Sequence, residues 1–181
     1  MKRMIPAVLC ILAGSAIAFA QQADIDKAVL AAPGNMKAAA TVIKWKADFT
    51  YDTLRKGTNK MVCYDRSGQP GQQAFAVECT SIENLPRVAQ TLKVEASNPD
   101  KKSRDDAFTA LEKAGMWTKP EYGSVWYHLT GADAEHTRTH VTIAVPGATE
   151  KSVGLPETNA KGGVWIMQAG SSAAHLMTPG E

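Results

Sequence analysis

Apolar and polar positions alternate along two blocks of the chain and repeat at helical spacing only between them. In the first block Val42, Ile43 and Trp45 lead into Phe49, Tyr51 and Thr53, which alternate with polar neighbours. That period of two predicts strands. Lys60–Tyr64 and Ala74–Cys79 predict two more, separated by Asp65-Arg66-Ser67-Gly68-Gln69-Pro70-Gly71, which is turn chemistry throughout. Between the blocks, Leu85, Val88, Ala89 and Leu92 fall on one helical face, with Asn84 as the predicted cap and Pro86 tolerated in the first turn. Ser97–Lys102 breaks that helix. Ser103 is predicted to cap a second one, with Asp105 and Asp106 in its first turn, an apolar stripe of Ala107, Phe108, Leu111 and Ala114, and Gly115 as its stop. Its other charges (Lys102, Arg104, Glu112, Lys113) read as a solvated surface. After Pro120 the strand pattern returns in Ser124–Leu129, Thr139–Val145, Val164–Ala169 and Ala173–Met177. Within Thr139–Val145, Val141, Ile143 and Val145 line one face, and His140, Thr142 and Ala144 the other. Strands, two helices, then strands predict one α+β domain over 41–181, built on a mostly antiparallel sheet.

The chain opens Met-Lys-Arg, continues apolar from Met4 to Ala20 and closes that run with Ala18-Phe19-Ala20. A basic start, an apolar core and a small-x-small end predict a signal peptide over residues 1–20, with Cys10 as apolar filler inside it. The run is too short, and lacks the flank, for a membrane span. Residues 21–40 are alanine-rich and broken by Pro33-Gly34, which predicts a short helix at Asp24–Ala31 and then a flexible linker. Leader removal takes Lys2 and Arg3 from the 20 basic residues and none from the 18 acidic ones, leaving a balanced chain. That balance, with no basic run, argues against nucleic acid and against an electrostatic hold on anionic membrane. Cys63 and Cys79 are the cysteines that remain. In an exported chain such a pair predicts a disulfide, here across the first hairpin, and the spacing is not the C-x-x-C of redox or metal sites.

Candidate chemistry centres on the histidines, all of which follow residue 127. His136 and His140 resemble a chelating pair, but a strand separates their Cα atoms by about 13 Å. His175 and Met177 share a strand face with Cα atoms about 7 Å apart, and imidazole with thioether suits copper. Met167 and His140 are placed to approach across the sheet, so the candidate soft-metal ligands are His175, Met177 and His140. G-x-S-x-G, S-x-x-K, C-x-x-C-H and phosphate-cradling glycine patterns are absent. The carboxylate pairs Asp105/Asp106 and Asp133/Glu135 lie in polar segments and read as solvated. Tyr122, Trp126, Tyr127 and Trp165 suit either a cleft wall or a core.

The C-terminal pieces H-V-T-I-A-V-P (140–146), G-L-P (154–156), G-G-V-W-I-M-Q-A-G (162–170) and A-H-L-M-T-P (174–179) together resemble a group of small exported bacterial proteins of unknown function. These also carry two cysteines in the first half. The present chain departs from their pattern at Thr139, Thr142 and Ser171-Ser172. The resemblance implies export and a compact domain, and it brings no activity. The expected protein is therefore a periplasmic or extracellular, disulfide-stabilised module that binds a small molecule or a protein, or serves a structural role, without catalysis. The alternatives are a copper protein using His175 and Met177, and a small exported hydrolase without a recognisable motif.

Overall fold

The computed structural model describes residues 18–160 and 162–179. Most of the predicted leader therefore lies outside the described residues. An eight-stranded sheet organises the chain: β1 (Thr41–Trp45), β2 (Tyr51–Arg55), β3 (Met61–Asp65), β4 (Phe75–Ser81), β5 (Val125–Gly131), β6 (Thr137–Ala144), β7 (Trp165–Met167) and β8 (His175–Met177). The spatial order is β2-β1-β3-β4-β5-β6-β8-β7. Every pairing is antiparallel except β1 with β3. The predicted α+β class with a mostly antiparallel sheet is what the chain adopts.

Helices lie on both faces. Residues 18–28 form α1, followed by a short 3-10 turn at Val29–Ala31. The short helix predicted at Asp24–Ala31 falls within these two elements. Ile25, Ala28, Ala31 and Ala32 are buried in the core against Val42, Cys63, Val77 and Cys79. Small side chains let the backbone sit close to the sheet, so alanines that give a weak helical pattern serve as packing residues. The opposite face is covered by α2 (Leu85–Ser97), whose Leu85, Val88 and Leu92 meet Ile43, Val62 and Tyr64. Outside it runs α3 (Lys101–Lys113), which buries no residue of its own. A single turn, α4 (Glu150–Val153), lies near a third cluster of Val145, Ile166 and Ala174.

Two caps differ from expectation. Asp100 caps α3, its Oδ1 accepting from Ser103 N at 2.9 Å, because Asp100 has the extended backbone that lets a side chain reach forward. Ser103 sits inside the first turn. Asn84 makes no cap bond, because a 3-10 turn at Ile82–Asn84 already holds it in helical geometry. Its side chain turns inward, fully buried. Nδ2 donates to Thr80 Oγ1 (2.9 Å) and Ser124 Oγ (3.0 Å), and Oδ1 accepts from Glu121 N (2.8 Å). This ties α2 to β4 and to the approach of β5. Asn84→Ala should cost about 1–3 kcal/mol by leaving those partners unpaired in the interior, measurable by urea unfolding. Gly115 ends α3 as expected, with φ +65°.

Cys63 and Cys79 stand directly opposite each other on β3 and β4, bonded across a Cα separation of 4.1 Å. Their side chains face α1, and the next residues along, Tyr64 and Glu78, face α2. The β5–β6 hairpin leaves no room at Gly131, where an added Cβ would fall 1.9 Å from His136 O. Gly131→Ala should therefore destabilise the fold by about 1–3 kcal/mol, again by urea unfolding. Among the described residues no helix is long and apolar enough to cross a membrane.

Candidate functional site

Strand parity builds the site. On the α2 side of the sheet, Tyr64 stands opposite Glu78, Glu78 opposite His128, and His128 opposite His140. A line of four polar side chains thus crosses β3, β4, β5 and β6. Further along the same face, His175 of β8 stands opposite Ala144 of β6. The sheet and α2 enclose a cleft of about 310 Å³ whose walls include Glu78, His128, His140, His175, Trp126 and Arg87.

The inner end of the line is a buried ionic network. Glu78 Oε2 accepts from Tyr64 Oη at 3.1 Å, and Oε1 lies 3.4 Å from both Arg66 Nη1 and His128 Nδ1. Arg66 is 4% exposed; it also donates to Glu95 of α2 and, through Nε, to Gln69 Oε1 at 3.0 Å. Burial pushes the Glu78 carboxyl up, but the Arg66 guanidinium, the nearby His128 and the Tyr64 hydroxyl together outweigh it and hold the group at about 2. Burial, then the Glu78 carboxylate, drives the Tyr64 phenol well above its ordinary value, so it stays a proton donor. Burial raises Glu95 despite its bond to Arg66.

Two of the imidazoles are oriented by their Nδ1 partners. His128 Nδ1 faces a carboxylate oxygen. His175 Nδ1 lies 2.8 Å from Ala173 O, an acceptor only, so Nδ1 carries the proton. The neutral His175 ring then keeps its Nε2 lone pair available. The His128 and His140 rings lie 5.8 Å apart between centroids. Burial, then His128 and His175, lowers His140; burial and then Arg87 lower His175, against the Ala173 bond. Both favour the neutral form.

Chemically, the arrangement offers an oriented imidazole backed by a buried carboxylate, two more imidazoles biased to neutrality, and two guanidinium groups, all at one small cleft. No family profile, curated protein or solved structure matches the chain.

Of the residues singled out from the sequence, His140 and His175 both face this cleft, and Met177 is not part of its wall. Met177 stands between Thr142 and Trp165, and the methionine opposite His175 is Met167. His175 pairs four residues beyond His140 along β6, a Cα offset of about 13 Å along the strand. Among the described residues no three His, Cys, Asp or Glu side chains are placed to hold a metal ion. His136 stays on the outer loop, its Nδ1 2.8 Å from Asp133 Oδ1. Trp126 lines the cleft, Tyr127 packs toward α1 and Tyr122 is exposed. Asp105 and Asp106 pair with Lys101 and Lys102 on open surface.

Sequence reasoning missed Glu78, Arg66 and Arg87. Glu78 had a signal: a lone carboxylate inside the strand Ala74–Cys79, on the face opposite Phe75, Val77 and Cys79. Arg66 was absorbed into a turn. Glu112, taken as solvated, accepts hydrogen bonds from Ser172 N (2.7 Å) and from Ser172 Oγ, anchoring the loop that leads into His175.

Proposed function

We propose that the chain is an exported domain that binds a small polar molecule in the histidine cleft between α2 and the sheet. The observation that carries this is the line Tyr64–Glu78–His128–His140, which spends buried charge to orient an imidazole toward an open cavity. Perturbed, oriented titratable groups facing a cleft are costly for a purely structural module and typical of a ligand site. The Cys63–Cys79 bond supports an oxidising destination, and the signal-peptide pattern supports export. Ring NMR of the histidines during a screen of small acids, alcohols, amines and sugars tests the binding. At least one class should move His128, His140 and His175 together and leave His136 in place. A screen that moves none of the three, or moves His136 equally, overturns it.

A second reading rests on His128 Nδ1 lying 3.4 Å from Glu78 Oε1, the pairing that equips an imidazole as a general base. Among the described residues the cleft wall holds no serine or cysteine, so the hydrolytic version uses water. His128 Nε2 takes a water proton, the hydroxide adds to an ester carbonyl, and the proton returns to the leaving alcohol. Turnover of p-nitrophenyl acetate that is lost in His128→Asn and kept in His136→Asn supports this, and equal turnover in both refutes it.

A further inference from the structure

Two guanidinium groups reach the cleft, and they differ in what neutralises them. Arg66 is occupied by Glu78, Glu95 and Gln69. Arg87, in the first turn of α2, has its Cζ 4.1 Å from the Trp117 ring centroid and donates Nη1 to Thr118 O at 2.6 Å. Those two contacts aim the fork without cancelling its charge. Among the described residues no carboxylate lies within ion-pair distance of it. Burial lowers the group to about 10, against a favourable pull from Glu112, so it remains cationic at neutral pH. An unpaired guanidinium held against an aromatic ring at the wall of a cleft lacks an oxyanion partner.

His175 supplies the complement. Its Nδ1 is committed to Ala173 O, which leaves Nε2 as the nitrogen open to a ligand. Arg87 is the charge that acts most on this ring, followed by His128. We propose that Arg87 and His175 form an oxyanion subsite at one end of the cleft, so that the ligand is a small molecule carrying a carboxylate or a phosphate group. This rests on the assignment of the cleft as a small-molecule site and adds the ligand's chemical class. The guanidinium fork takes two oxygens of the group, and His175, protonated at Nε2, donates to another oxygen.

Binding is therefore coupled to proton uptake. The titratable and charged groups around His175 are Arg87 from α2, His128 from β5 and His140 from β6. Glu112 of α3 reaches only as far as Ser172. A bound anion screens His175 from Arg87 and favours the charged ring, so affinity rises as pH falls through the ordinary histidine range.

The test titrates the folded full-length chain with inorganic phosphate and, separately, with acetate, against chloride at matched ionic strength, reading histidine ring nitrogens by NMR. One or both anions should shift His175 saturably, more tightly at lower pH, with His136 unmoved. Arg87→Gln should weaken that binding at least about tenfold. A response to phosphate alone places a phosphomonoester in the cleft, and a response to acetate places a carboxylic acid there. Arg87→Lys keeps the charge and the cover over Trp117 but not the fork, and a smaller loss is expected; it decides the matter if the glutamine variant fails to fold. The proposal is overturned if neither anion moves His175 beyond chloride, or if the Arg87 variants bind like the parent. An uncharged compound that moves His128 and His140 under those conditions would leave the cleft a ligand site and remove only the oxyanion subsite.

Discussion

Glu78→Gln should destabilise the fold by about 3–5 kcal/mol, the cost of stripping one partner from a buried ion pair. Arg66, 4% exposed, would keep only Glu95 as a carboxylate partner, and Tyr64 and His128 would lose theirs. The acid limb of the stability curve gives an independent signature. Glu78 is held at about 2 against an ordinary 4.5. A carboxyl depressed in the folded state contributes stability that is fully present above its unfolded value and is lost as pH falls toward its folded one. That contribution is about 3 kcal/mol, released between about pH 4.5 and 2. His140 and His175 act earlier. Their folded values lie below the ordinary 6.5, so the unfolded chain takes up their protons first and stability starts to fall as pH drops below that point. Glu95, raised by burial, offsets part of the Glu78 effect. Urea unfolding across pH 2–7 should show a lower step that is larger in the parent than in Glu78→Gln, where depressed carboxyls such as Asp65 and Glu112 still contribute. Parallel curves for the two proteins would contradict the ionic network described for Glu78.

Cys63→Ala with Cys79→Ala should lower stability by about 3 kcal/mol in the chain-entropy account of a loop of this size. The sequence separation is 16, and both cysteines are fully buried. Urea unfolding of the parent with and without reductant should give a matching loss, and a loss under about 1 kcal/mol would mean that the bond closes a hairpin already rigid without it. The site should feel the change. The bond joins the strands that carry Tyr64 and Glu78, which project from the other face of the same pair. Histidine ring signals of the reduced protein should therefore broaden at His128 before they do at His175.

Most elements were legible because they obey local rules. Alternation and short apolar runs marked β1 to β6, the turn at Asp65–Gly71 with its flanking cysteines marked the β3–β4 hairpin, and apolar spacing marked both central helices. His140 and His175, offered from the sequence as residues that approach each other across the sheet, do lie on one side of it. What could not be read depends on partners remote in the chain. Glu78 looks like an irregularity in an apolar strand until Arg66 arrives from the turn and His128 from β5. Asn84 has the composition of a cap, and only the preceding 3-10 turn sends it inward. Ile25 and the alanines around it carry too little hydrophobic contrast to announce that they cover a sheet face. The placing of Met177 beside Thr142, outside the cleft wall, follows from strand order, which local patterns do not encode.

Strand order also has a consequence for assembly. β7 precedes β8 in the chain yet lies outside it, and among the described residues its one ladder is with β8. Among the described residues, β7 therefore reaches the rest of the sheet only through β8. Removing residues 175–177 would therefore detach two strands, leave β6 as a bare margin for unwanted pairing, and open one side of the cavity at a stroke.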